Sequence, residues 1–292
     1  MPDGFINVLK PPGMTSHDVV SFIRRTYGLK KVGHAGTLDP AAAGVLPIAM
    51  GKATRLIEYM TDADKTYRAE LTFGFATDSG DDTGKVIETA AEFQLPDPSE
   101  LKQILQEFCG INIQIPPIYS AIKINGKRAC DLARQNIEVT IPERQIEIYD
   151  ISLLESSSQT ILFDVSCSKG TYIRTLCIDI GRRLGIPAVM SFLVRSRVGT
   201  FALSEAFTLD EIKLTPEKAL CTMDEVLAHL PQQTLSMEQG AAFMQGKKIA
   251  LDTGSKPSGA IRIYQQTEFI GIGQYDFDHR CLIPGKVIVP QS

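Results

Sequence analysis

The chain is predicted to be an α+β protein, on three observations. Lys65-Thr66-Tyr67-Arg68-Ala69-Glu70-Leu71-Thr72-Phe73 alternates with a strand period, which sets Tyr67, Ala69, Leu71 and Phe73 on one face. Further strand-like runs at Gly4–Lys10, Gln145–Leu154 and Thr160–Cys167 are interspersed with capped helical segments. Beyond residue 231, a helix over Ser236–Lys247 stopped by Gly246 precedes short strands at Ala260–Tyr264, Phe269–Tyr275 and Lys286–Val289. A smaller tail domain is therefore expected after the main one.

Taken in order, Gly4–Lys10 ends at Pro11-Pro12-Gly13, a turn. Thr15 followed by Asp18 forms a capping box, and Val19, Val20, Phe22 and Ile23 begin an apolar helix face that stops at Gly28. Arg24, Arg25, Lys30 and Lys31 make a basic approach to Gly33-His34-Ala35-Gly36-Thr37-Leu38-Asp39-Pro40. From Gly33 to Thr54 there are four glycines and two prolines, so a tightly turned backbone presents one imidazole and one carboxylate at fixed positions. Ala53–Met60 reads as a short helix. Thr77–Lys85 has an acid-rich spacing that invites a calcium site, but Thr83 stands where an EF-hand loop needs Gly and Thr89 where it needs Glu, so it reads as a turn. Ser99 is expected to cap an amphipathic helix running to Phe108, and a later helix ends near Arg134-Gln135-Asn136. Cys167–Leu176 leads into a helix through Asp179 and Arg183 that stops at Gly185, followed by a basic strand over Phe192–Gly199. Leu220–Pro231 reads as helical, and Pro231-Gln232-Gln233 as a linker.

Composition narrows the function classes. With 292 residues, 43% hydrophobic and 22% charged, the chain can bury one substantial core and a smaller one. No apolar run approaches the roughly 18–20 residues of a membrane span, and Met1-Pro2-Asp3-Gly4 lacks signal-peptide regions, so a cytoplasmic location is expected. The six cysteines form no C-x-x-C pair and the four histidines fall in no ligand spacing beside them, which supports neither a disulfide framework nor a metal site. No cofactor is expected. The net charge of −4 argues mildly against a nucleic-acid partner. Between Val165 and Thr200, however, six cations (Lys169, Arg174, Arg182, Arg183, Arg195, Arg197) stand against the single acid Asp179, a local charge of +5. That basic patch is expected to hold RNA.

Gly33–Pro40, running on through Ala41-Ala42-Ala43-Gly44-Val45-Leu46-Pro47 to Gly51-Lys52-Ala53-Thr54, closely resembles the signature loop of the TruB family of tRNA pseudouridine synthases. Lys10-Pro11-Pro12-Gly13-Met14-Thr15-Ser16, Lys65-Thr66-Tyr67-Arg68, Pro116-Pro117-Ile118-Tyr119-Ser120-Ala121-Ile122-Lys123 and Lys169-Gly170-Thr171-Tyr172-Ile173-Arg174 resemble further motifs of the same family, and the tail resembles a PUA-type RNA-binding barrel. Cys130 stands where many relatives carry an aromatic residue. The resemblance implies a pseudouridine synthase fold with a mixed, largely antiparallel central sheet. It divides the chain into a catalytic domain at 1–232, with an RNA-binding insertion at about 91–140, and a PUA-like domain at 233–292. Lys123, Lys127, Arg128 and Arg134 then read as an RNA-facing surface rather than the exposed side of a helix.

For activity, the resemblance implies isomerisation of uridine-55 in the T loop of tRNA by a monomer that needs no metal, nucleotide or obligatory protein partner. Asp39 is the implied catalyst. A carboxylate suits the chemistry in two ways, by attacking the sugar carbon or by removing a sugar proton to give a glycal. Arg174 is its implied counter-ion, needed because an ionised carboxylate in a dry pocket requires a cation. Tyr67 would stack on the flipped base near C5, and Tyr172 and Leu193 would wall the pocket. Lys169 belongs to the substrate-binding set, His34 would fill the space the uridine vacates, and Asp81 would help orient an arginine. Three runners-up remain: a guide-RNA-dependent subunit of a ribonucleoprotein, a non-catalytic tRNA-binding or folding protein, and, more distantly, a metal-dependent hydrolase.

Overall fold

The computed structural model describes residues 2–289 apart from 121, 125, 130, 131, 133, 134, 136, 138, 139 and 252–257, and gives Lys123 and Arg128 as backbone alone. The expectations placed on Cys130 and Arg134, and on the side chains of Lys123 and Arg128, lie outside the described residues; Lys127 is exposed.

A ten-stranded sheet forms the centre. Its main path runs Leu220–Cys221, Gly4–Lys10, Ala43–Met50, Ala188–Val198, Lys65–Phe73, Thr160–Cys167, Arg144–Ser156, Gly110–Gln114. Pairing is antiparallel except where Ala188–Val198 meets Ala43–Met50, with Val194 opposite Ala43 and Arg195 opposite Gly44. The sheet is therefore mixed and largely antiparallel. Lys65–Phe73 buries every second residue, Lys65, Tyr67, Ala69, Leu71 and Phe73, because a period of two sends alternate side chains to one face. That face packs with Leu176, Cys177 and Ile180 of the helix Ile173–Leu184. Gly185, at φ 70°, closes this helix in the left-handed region, where a Cβ is disfavoured.

The first helix, Ser16–Thr26, starts at the Thr15–Asp18 capping box and buries Val19, Val20 and Ile23. The helix Pro98–Gln106 departs from expectation, because Asp97 caps it in place of Ser99. Pro98 fits the first helical position, where no N–H is needed, and the Asp97 carboxylate accepts from the Ser99 and Glu100 amides at 2.8 and 3.1 Å. Leu220–Pro231 is not one helix but the two-residue strand Leu220–Cys221 and a single turn at Met223–Val226. Thr222 breaks it, accepting from the Glu225 amide as a cap. Pro231-Gln232-Gln233 is not a linker either: Gln232–Leu235 pairs in parallel with Ala260–Gln265.

A second, five-stranded sheet is built from Gln232–Leu235, Ala260–Gln265, Glu268–Asp276, Cys281–Val287 and Ile249–Ala250. It docks firmly on the first unit. Ile272 and Ile288 share a buried cluster with Phe5, Val45, Leu56 and Val198, Arg262 reaches Asp224 at 2.7 Å, and Lys286 reaches Glu58 at 2.9 Å. No helix among the described residues is long and apolar enough to cross a membrane.

The parallel contact makes one sharp demand. Gly44 has φ 114°, and a Cβ there would stand 2.2 Å from the Arg195 carbonyl oxygen. Gly44→Ala is expected to lose about 2 kcal/mol or more of stability, read from a urea midpoint.

Candidate active site

The loop between Val32–His34 and Ala43–Met50 carries no regular structure at its tip, so its backbone oxygens need partners from elsewhere. Three buried side chains supply most of them. Arg195, 1% exposed, donates through Nε to the Val45 carbonyl at 2.8 Å, through Nη2 to Gly36 at 3.1 Å and through Nη1 to Thr37 at 3.4 Å. Lys10 Nζ donates to the carbonyls of Pro40, at 3.2 Å, and Pro11, at 2.9 Å. Ser16 Oγ accepts from the Leu38 amide at 2.9 Å and donates to the Leu38 carbonyl at 3.1 Å, doing with one hydroxyl what a neighbouring strand would do. The Ala42 amide closes the set on the Asp39 carbonyl at 3.1 Å. Every carbonyl from Gly36 to Pro40 is thereby engaged, and Asp39 sits on a pre-set backbone. Ser16→Ala strips both partners from Leu38 and is expected to cost about 1–3 kcal/mol. It should also lower kcat more than it raises KM; equal effects on both would mean that Ser16 does not aim Asp39.

Two cations in this support are held against water. Burial lowers the Lys10 ammonium to about 8, with Asp39 the main opposing influence. Burial also lowers Arg195, which the Tyr67 hydroxyl partly restores. Neither Lys10, Ser16 nor Arg195 was singled out as a site residue from the sequence. A usable signal for Arg195 was its alternation with Leu193, which points both toward one face of the strand.

Arg174 meets Asp39 from the first turn of Ile173–Leu184. Nε lies 3.1 Å from Oδ2, and Nη2 donates to Oδ1 at 3.4 Å. The same guanidinium donates to the carbonyls of Ser79 at 3.0 Å and Tyr119 at 2.8 Å. Three separated segments, at 39, 79 and 119, thus converge on the Arg174 side chain. Gln114 sets the start of that helix, accepting from the Tyr172 amide at 3.0 Å and donating to its carbonyl at 3.3 Å. Asp81 makes no direct hydrogen bond to Arg174: its carboxylate accepts from the hydroxyls of Ser79 at 2.7 Å and Thr83 at 2.6 Å. It holds the Ser79 turn whose carbonyl Arg174 uses. Burial raises the Asp39 carboxyl above its ordinary range; Arg174 and Lys10 oppose this and Asp81 adds to it.

Asp39 lies where two cavities meet. One, of about 560 Å³, is lined by Tyr67, Tyr172, Leu193 and Arg195 with Lys65 and Lys169. Tyr67 and Leu193 are each 8% exposed, and burial raises the Tyr67 hydroxyl. The other, of about 1050 Å³, is lined by His17, His34, Pro40, Ser79, Asp81 and Lys85. His34 therefore borders the chamber opposite Tyr67, and burial, with a smaller push from Arg195, holds its imidazole below the usual value. Of the predicted set, Tyr67, Tyr172, Leu193, Arg174 and Lys169 line the first chamber with Asp39, and His34 and Arg174 line the second with it.

Within the basic run at 165–200, Lys169, Arg182, Arg183 and Arg197 are exposed and the other two cations are interior. Arg174 and Arg195 are buried, while Lys169 pairs with Asp62 at 2.9 Å, Arg182 with Asp179 at 3.2 Å and Arg183 with Glu107 at 2.7 Å. A net charge counted along the sequence ignores such partners. Among the described residues, no group of three or more His, Cys, Asp or Glu could hold a metal ion.

Comparison with known proteins gives the family. A family model described as TruB family pseudouridylate synthase (N terminal domain) matches residues 24–173. The chain belongs to the TruB family. Two further TruB models match its C-terminal parts, a tRNA pseudouridylate synthase B C-terminal domain at 174–230 and a pseudouridine synthase II TruB C-terminal domain at 231–286. Similar TruB proteins named tRNA pseudouridine synthase B include one from Heliobacterium mobile, 46% identical over 98% of this chain and 95% of its own, and one from Bacillus subtilis, 45% identical over 81% and 80%. Among solved structures, a Cbf5-Nop10-Gar1 complex matches with a TM-score of 0.76 and 30% identity over 99% of this chain and 86% of that one. An H/ACA RNP bound to a substrate RNA containing 2'-deoxyuridine matches with a TM-score of 0.74 and 28% identity, over 98% and 85%. As a TruB-family member the chain is an RNA pseudouridine synthase, with the pseudouridine synthase fold and a PUA-like five-stranded unit at its C-terminal end.

Proposed function

We propose that this enzyme isomerises uridine-55 in the T loop of tRNA to pseudouridine, with Asp39 acting on a flipped-out uridine. The observation that carries the reading is the Asp39 carboxylate, 36% exposed to the cavities and ion-paired to an Arg174 that is 5% exposed. Relatives from Heliobacterium and Bacillus, named for tRNA, support the substrate.

The chemistry needs no redox equivalent. The N1–C1′ bond breaks, the uracil turns, C5 bonds to C1′, and the C5 proton departs. An ionised Asp39 starts either route, by attacking C1′ to give an ester or by taking the C2′ proton to give a glycal. Extruding a stacked base costs a few kcal/mol, which contacts in the cavity offset. Tyr67 would stack on the uracil beside C5, Leu193 and Tyr172 would wall it, and Lys169 would stand toward the RNA backbone. His34, on the other side of Asp39, would occupy the gap left in the loop. In this reading residues 1–232 form the catalytic domain, 91–140 an RNA-binding insertion and 233–292 a second RNA-binding domain, and the enzyme works as a monomer on the T arm.

A guide-dependent synthase is the second reading, favoured by the likeness to the H/ACA RNP and the Cbf5-Nop10-Gar1 complex. The higher identity to the tRNA enzymes favours the first. Incubating the purified chain with an unmodified tRNA transcript and EDTA, without guide RNA, separates them: pseudouridine is expected to form, and a strict need for a guide overturns the primary reading.

A further inference from the structure

The chamber that ends at Asp39 is closed at one end and open at the other. Tyr67, Leu193 and Arg195 are buried, whereas Lys169, its side chain 59% exposed, stands at the mouth with Arg144 and Gln145. Arg144 opens the strand Arg144–Ser156. Its guanidinium lies over the Tyr172 ring, 5.8 Å from the centroid, and Nη1 donates to the Gly170 carbonyl at 3.3 Å.

The two mouth cations differ in kind. Lys169 is neutralised by Asp62 at 2.9 Å, whereas Arg144 has no carboxylate partner among the described residues. A guanidinium carries five N–H donors in one plane, and among the described residues one is engaged, on a neutral oxygen at 3.3 Å. The cation–π contact with Tyr172 and the bond to Gly170 hold the guanidinium in place while leaving its other donors free. What remains is an oriented fork, without a carboxylate partner among the described residues, at the rim of an RNA enzyme's cavity, and the anion that matches it is a phosphate.

We propose that Arg144 is an RNA-phosphate contact: held over Tyr172, it grips a backbone phosphate next to the nucleoside that enters the cavity. With the ribose at Asp39 and the uracil toward Tyr67 and Leu193, the sugar's 3′ and 5′ oxygens leave through the open end, where Arg144 stands. The assignment rests on reading the cavity as the uridine site.

The test is equilibrium binding of an unmodified T-arm hairpin RNA to the full chain, followed by fluorescence anisotropy over a series of salt concentrations. Arg144→Gln is expected to bind on the order of tenfold more weakly at low salt, with a slope of log K against log[salt] shallower by about 1. Arg144→Lys is expected to keep the wild-type slope and lose several-fold in affinity, because the point charge survives and the fork does not. An unchanged slope in Arg144→Gln overturns the assignment and leaves Arg144 as packing for Tyr172. If Arg144→Gln does not fold, Arg144→Lys decides alone: several-fold weaker binding at an unchanged slope supports the contact, and unchanged affinity overturns it. Failure of the wild-type chain to bind the hairpin at all overturns the uridine-site reading and this assignment together.

Discussion

Asp39→Asn is expected to abolish uridine conversion, a loss of at least about 10⁴-fold, while the protein still binds tRNA. The amide keeps the shape of the side chain and an oxygen for Arg174, whose Nε lies 3.1 Å from Oδ2. It supplies neither the nucleophile nor the base that the isomerisation requires. Removing a negative charge beside an RNA backbone should not weaken binding. Tritium release from C5 and filter binding on the same preparation check the two halves; measurable turnover by Asp39→Asn would refute a carboxylate mechanism. The pH dependence follows from the same group. Burial raises the Asp39 carboxyl, and only the ionised form acts, so activity is lost as pH falls through that raised value. The acid limb of the single-turnover rate should therefore lie above the ordinary carboxylate range.

The second large effect is expected at Arg174. Replacing it with Met removes the cation that most strongly favours ionised Asp39, so the acid limb should move to still higher pH. The rate at the optimum should fall by about 10²–10³, the scale for losing one pre-oriented electrostatic partner. Arg174→Lys is expected to bring back part of the pH limb and little of the rate. The guanidinium serves the Ser79 and Tyr119 carbonyls and both Asp39 oxygens at once, and an ammonium on a single point cannot reach all four. Single-turnover pH profiles of wild type, Arg174→Met and Arg174→Lys decide this. A wild-type acid limb in Arg174→Met would show that the pair does not govern Asp39.

What could be read in advance followed from local physics. Lys65–Phe73 was legible because one of its faces is buried, so its alternation is strict. The first helix was legible because Thr15 and Asp18 satisfy its exposed amides within four residues. Local signals failed where a competing local choice or a distant partner decided. Ser99 looked like a cap, yet Asp97-Pro98 outcompetes it. Gln232–Leu235 is polar and short, and becomes a strand only because Ala260–Gln265 lies beside it.

The site divides along the same line. Asp39, Tyr67 and Arg174 each lie in a segment with its own motif, so each was nameable alone. Their convergence depends on Tyr119 and Ser79 lending carbonyls to Arg174, a contact no residue-type pattern encodes. Arg195 was read as part of a basic surface because charge is visible in sequence and burial is not. In the fold it is interior and holds the Gly36 and Thr37 carbonyls just before Asp39.

The most direct measurement of the central claim maps pseudouridine at single-nucleotide resolution in an unmodified tRNA transcript treated with the purified chain, beside a transcript carrying cytidine in place of uridine-55. A single pseudouridine at position 55 in the first transcript, and none in the second, is the predicted result. Pseudouridine at another position, or formed equally in the cytidine transcript, would contradict it.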